Sequence, residues 1–132
     1  MNREQYMTFH QECCNKMVDI TRAKNEDYAG GADDPFFNFT RVEKLGVCET
    51  ERGFLTRMTD KFARIITFVN VGILKVKDES VEDTLLDLAN YCILLAGYLR
   101  SKRQAAVKDK YMDGGDHAFT PVTFPIAHRN GA

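Results

Sequence analysis

Apolar residues return every third or fourth position over most of this chain, the period of helices that bury one face. Between Asn2 and Lys24 the recurring set is Tyr6, Phe9, Cys13, Met17 and Ile20, one stripe on a helix of about six turns. Asn25, Asp27, Gly30, Gly31 and Asp33-Asp34 before Pro35 carry turn chemistry and predict a break. Asp34 is expected to cap a short helix that has Pro35 at its first position and ends at Gly46. Phe36, Phe37 and Phe39 crowd that helix with aromatics.

Thr50 is a suitable N-cap for a third helix running to about Lys75. From Ile65 to Leu74 this segment is apolar nearly all round, the mark of a helix surrounded by protein. In so small a domain, part of that surface is expected to meet another copy of the chain. The β-branched run would also suit a strand, but continuity with Leu55, Met58, Phe62 and Ile65 favours helix. Ser80-Val81-Glu82-Asp83 opens a fourth helix, with acids where the dipole favours them. It continues through Leu85, Leu88, Cys92, Leu95 and Leu99 toward Met112, before Gly114-Gly115. The prediction is an all-α fold, a four-helix-type bundle with two long central helices, one N-terminal helix and one short helix. Residues 1–112 form its helical domain, and residues 113–132, with Pro121 and Pro125, form an irregular extended C-terminal tail.

Composition narrows the function classes. The 132 residues are 44% hydrophobic and 28% charged, which suits a folded globular chain. Eighteen bases against 19 acids give a net charge of -1, no global reason to bind a nucleic-acid backbone. No stretch approaches the roughly 20 apolar residues that span a bilayer. The polar start, Met1-Asn2-Arg3-Glu4-Gln5, predicts no secretory signal and a cytoplasmic protein. Cys13, Cys14, Cys48 and Cys92 form no CxxC pair and His10, His117 and His128 are scattered, so reduced thiols are expected rather than a zinc site.

The chemistry concentrates on the two long helices. Asp83, Asp87 and Asn90 fall at spacings of four and three on the fourth, with Glu79 roughly in line and almost every other position from Leu85 to Leu95 apolar. A carboxylate held inside such a helix needs a cation, a metal or a donor network. Arg57, Asp60, Lys61 and Arg64 share one face of the third helix and offer the complement. Two readings stand side by side. Asp83 belongs to a capping box and Asp87 to a structural ion pair with Lys61 or Arg64. Alternatively, the acids hold a divalent cation and the bases hold phosphates; Mg²⁺ takes one or two carboxylates and leaves its other positions to water and phosphate oxygens. In the preceding loop Lys24 can reach a phosphate, Asn25 and Asn38 a base edge or sugar, and Tyr28 and Phe39 the face of a base. Against that, Asn25 and Asp27 make the turn and Phe39 fills the core.

Three segments together resemble a known family: Lys24-Asn25-Glu26-Asp27-Tyr28 with Asn38-Phe39, then Arg57 to Ile65, then Asp78 to Tyr91. The set resembles the nucleotide modification associated domain 1 family, small proteins found largely in phages and bacteria. That family is similar to the MazG-like all-α NTP pyrophosphohydrolases. The resemblance covers roughly Lys24 to Leu95. It implies a helical bundle, a homodimer or homotetramer, that cleaves a (deoxy)nucleoside triphosphate to monophosphate and pyrophosphate with Mg²⁺ as cofactor, in the bacterial host cytoplasm if phage-encoded. On this reading Glu79, Asp83 and Asp87 are the metal ligands. Asp60, Lys61, Arg64 and Asp87 are the catalytic set. Lys24, Asn25, Asp27, Tyr28, Asn38, Phe39, Arg57 and Asn90 bind the nucleotide. The chain departs from the pattern where Lys61 and Arg64 stand at positions of further acids, and where Thr84 takes the place that would put an acid three residues before Asp87. Those replacements weaken metal binding and favour direct phosphate contact. Two rivals therefore stand beside the enzyme: a non-catalytic nucleotide-binding protein, and an oligomeric interaction protein whose groove is a salt-bridge network.

Overall fold

The structure is a computed structural model that describes residues 1–28, 33–73 and 80–112. Among the described residues the fold is all-α, with helices α1 (Arg3–Tyr28), α2 (Phe37–Lys44), α3 (Thr50–Val71) and α4 (Val81–Met112) and no strand. It is a helical bundle with two long central helices, as the apolar period predicts. The expected tail over residues 113–132, the Gly30-Gly31 turn, Glu79 and the side chains of Asp27 and Tyr28 lie outside the described residues. Met1–Arg100 forms one compact unit. The described part of the second unit, Ser101–Met112, is helical and exposed throughout. No described helix is long and apolar enough to cross a membrane.

Local chemistry sets the ends of these helices. At α1, Asn2 and Gln5 exchange backbone-to-side-chain hydrogen bonds of 2.9 Å in a capping box. The expected break at Asn25 is corrected: α1 runs on through Tyr28. Asn, Glu and Asp each cost only a few tenths of a kcal/mol inside a helix, less than propagation returns. At α2 the Asp34 carboxylate accepts the Phe36 N–H at 2.9 Å, so Pro35 and Phe36 form a turn ahead of the helix, not its first residues. Gly46 ends α2 as expected, at φ +72, with Val47 N–H donating to Val42 O and Gly46 N–H to Glu43 O.

At α3 the N-cap is Glu49 and Thr50 is the first helical residue, so the helix starts one position earlier than expected. Glu49 makes no side-chain cap; Glu43 of α2 does instead, accepting the Thr50 backbone N–H at 3.2 Å and the Thr50 hydroxyl. The negative end of that side chain suits a helix N-terminus. Gly72, left-handed at φ +79, closes α3 short of Lys75 by donating to Phe68 O at 2.7 Å. At α4 the Ser80 hydroxyl accepts the Asp83 N–H at 3.0 Å and donates to Asp83 Oδ2 at 2.8 Å.

The core is small and aromatic. Phe39 of α2 and Phe54 of α3 stack with ring centroids 3.8 Å apart and planes 8° off parallel. Tyr91 and Tyr98 of α4 approach them edge-on or tilted, and Phe36 meets Tyr98 at 5.6 Å. The Phe36 ring lies beside Gly97, at ordinary van der Waals distance from where a Cβ there would sit. Among the described residues, Phe39, Phe54 and Leu86 are the buried apolar ones, joined by fully buried Thr50 and Thr84, whose hydroxyls are hydrogen-bonded. The expectation that the apolar second half of α3 is surrounded by protein is not met within one chain, where Ile66, Val69 and Val71 stand exposed.

Candidate functional site: a basic pocket between α1, α3 and α4

Asp87 sits a turn and a half inside α4, 19% exposed, and both its oxygens are engaged. Lys61 of α3 lies 2.8 Å from Oδ2 and Lys24 of α1 lies 3.1 Å from Oδ1. Burial pushes the Asp87 carboxyl up, but the hydrogen bonds from Lys61 and Lys24, with their charges, outweigh it and hold the group below its ordinary value. Lys24 stands near the end of α1, which continues past it to Tyr28.

These three residues line a pocket of about 300 Å³ together with Arg57, Asp60, Arg64 and Tyr91. Its walls hold four bases against two acids. Arg57, Lys61 and Arg64 enter from one face of α3 because they are spaced at four and three. Tyr91 follows Asp87 by one turn and adds an aromatic wall, its ring also meeting Phe39 at 6.0 Å. Such a lining attracts a multiply charged anion, and guanidinium and ammonium groups together fit phosphate oxygens.

The other expected site residues are placed elsewhere. Asp83 is occupied by the capping box and by Lys16 of α1, whose Nζ is 2.8 Å from Oδ1. Hydrogen bonds from Lys16, then from the Ser80 hydroxyl and backbone, lower its carboxyl from 3.8 to about 2. Asn90 ties α4 to α1, accepting from Thr21 and donating to Met17 O, each at 3.4 Å. Phe39 is a core residue with its face against Phe54, which leaves it no face for a base. Asn25 is exposed on α1 and Asn38 half-buried on α2, and neither lines the pocket. Glu79 and the side chains of Asp27 and Tyr28 fall outside the described residues. Two participants escaped the sequence reading. Tyr91 was detectable as the residue four after Asp87, on the same helical face. Lys16, 67 positions from its partner, carries no local signal.

The fit of Mg²⁺ to this lining follows from its donors. A bare cation at Asp87 would have to displace Lys24 or Lys61 and add charge to a pocket already rich in bases. An anion meets no such opposition, and a cation that arrives with phosphates has Asp60 and Asp87 on the same pocket. No family model, curated protein or solved structure matches the chain.

Proposed function

We propose that this chain binds the polyphosphate of a nucleotide in the pocket between α1, α3 and α4. The observation that carries the reading is the convergence of Lys24, Arg57, Lys61 and Arg64 around a single pocket with Asp60 and Asp87. Lys24, Arg57 and Lys61 would meet the outer phosphates, and Tyr91 would lie along the base or sugar. The resemblance of Arg57 to Ile65 and of Asp78 to Tyr91 to a family of nucleotide proteins supports the same assignment.

Magnesium-assisted hydrolysis is the second reading, favoured by Asp60 and Asp87 on the same pocket. When bound with the substrate, Mg²⁺ would neutralise phosphate charge and lower the barrier to attack by water. Asp60 and Asp87 would then orient it or the water, and the bases would stabilise the charge that builds on the phosphates. Among the described residues, no histidine or cysteine lines the pocket to act as a nucleophile.

Titration of the purified protein with a panel of dNTPs, with and without Mg²⁺, tests both readings. Saturable binding of intact nucleotide, weakened about tenfold by Arg57→Ala, supports the binder. Release of monophosphate and pyrophosphate in the Mg²⁺ arm supports the enzyme. If no nucleotide binds or raises the melting temperature, the groove is a structural ion-pair network and both readings fail.

A further inference from the structure

Beyond Arg100, α4 continues for about three turns, Ser101–Met112, in which every residue is exposed. This stretch lies outside Lys24 to Leu95, the part of the chain that carries the family resemblance. Positive charge gathers on it. Lys102, Arg103, Lys108 and Lys110 stand against Asp109, whereas the chain as a whole is weakly acidic. The helix dipole favours Lys110, in the last turn, but does not extend to Arg103 or Lys108.

The charges are sorted around the helix. Arg103 and Lys110, seven residues apart, share one edge and lie about 10 Å from each other along the axis. Lys108 falls on the other edge of the same face. Gln104, Val107 and Tyr111, at spacings of three and four, run between the two edges. Asp109 and Ala105 lie on the opposite side of the helix. None of the six residues on the basic face is acidic, and Val107 and Tyr111 at its centre are 44% and 50% exposed.

We infer that this face lies in the major groove of duplex DNA, with its bases on the phosphates of the two groove walls. Charge complementarity selects the occupant. Each wall is a row of phosphates, and the two basic edges face outward on either side as the walls do. The groove is about 12 Å wide and admits one α-helix, so Gln104 and Tyr111 would meet base edges at its floor. The major groove of duplex RNA is too deep and narrow for side chains to read. A lipid surface would call for an apolar face of Leu, Phe or Trp, and Val107 is the one aliphatic residue here. The inference does not depend on what the pocket between α1, α3 and α4 binds.

Fluorescence anisotropy of a labelled random-sequence DNA duplex, titrated with the full chain, tests this. The logarithm of the affinity should fall against the logarithm of salt with a slope of about -3, one unit for each of Arg103, Lys108 and Lys110. Arg103→Ala, Lys108→Ala and Lys110→Ala together keep a strong helix former at each position. This triple variant should bind roughly a hundredfold more weakly at about 0.1 M salt, with a flattened slope. It should keep the nucleotide affinity of the wild type, so failure of this inference and failure of the pocket are read separately. Arg22→Ala, which removes an exposed charge from α1, should bind the duplex as the wild type does. A photo-crosslinking amino acid in place of Gln104 reads the contact without a change of charge and should capture the duplex. No binding at low salt, equal affinity of the triple variant, no cross-link from position 104, or tighter capture by phosphatidylserine vesicles than by duplex would overturn the inference.

Discussion

Glu43 reaches from α2 to close the first turn of α3, its carboxylate accepting both the backbone N–H and the hydroxyl of Thr50. Thr50 is fully buried, so this contact satisfies a hydroxyl that has no access to water. Thr50→Val keeps the shape and removes the donor, leaving the Glu43 oxygen with one partner fewer. The expected loss is about 1–2 kcal/mol, a fall in melting temperature of several degrees for a domain of this size. A melt that moves by less than a degree would remove Glu43 from the account of how α3 starts.

Gly97 lies in the interior of α4, where glycine costs about 0.5–1 kcal/mol relative to alanine. A Cβ at that position would meet the Phe36 ring at 3.5 Å, an ordinary van der Waals distance. Gly97→Ala should therefore stabilise the protein by about 0.5–1 kcal/mol in urea unfolding, and Gly97→Leu should destabilise it by forcing Phe36 out of its seat. If Gly97→Ala destabilises instead, the aromatic cluster is packed more tightly than described.

The acid limb of stability follows from Asp83. Its carboxyl titrates at about 2 in the fold, against 3.8 for the ordinary group, chiefly because Lys16 and then Ser80 donate to it. A depressed value means that the contribution is complete above about pH 4 and is lost as pH falls toward about 2. Asp83→Asn should flatten the urea midpoint across that window and lower it at neutral pH. Lys16 shows the mirror image: its ammonium is held above 10.5 mainly by the hydrogen bond to Asp83, so its contribution fades as pH rises past that value. Equal acid limbs in wild type and Asp83→Asn would contradict the Lys16 contact.

Asp87→Asn addresses the pocket itself. The amide retains the volume but leaves Lys61 and Lys24 facing each other with no charge between them. Since Asp87 and Lys61 are each 19% exposed, water screens that repulsion poorly, and a loss of about 1–3 kcal/mol is expected. Inorganic phosphate or triphosphate should restore much of it, which a melt with and without the anion reads directly.

Helix identity and the grouping of like chemistry on one helix face were legible because both are local patterns. The spacing of Arg57, Lys61 and Arg64 puts them on one face whatever surrounds them, and Ser80 with Asp83 writes a cap into four consecutive positions. The contacts of Lys24 with Asp87 and of Lys16 with Asp83 span 63 and 67 positions and depend on how helices cross, which no local window contains. Phe39 was ambiguous for a different reason. Aromatic chemistry serves a base and a core equally well, and only the presence of Phe54 against its face decides between them. The end of α3 was misplaced because an apolar run continues past Gly72, while the left-handed backbone at that glycine does not.

Asp87 also acts as a resident counter-ion, and that sets a valence threshold for whatever enters its pocket. A singly charged visitor would trade one carboxylate for another and gain little from Lys24 and Lys61. A ligand carrying three or four negative charges can leave Asp87 in place and draw on Arg57 and Arg64 as well. If the pocket binds as proposed, it would favour a polyanion over chloride or a simple acid through charge alone.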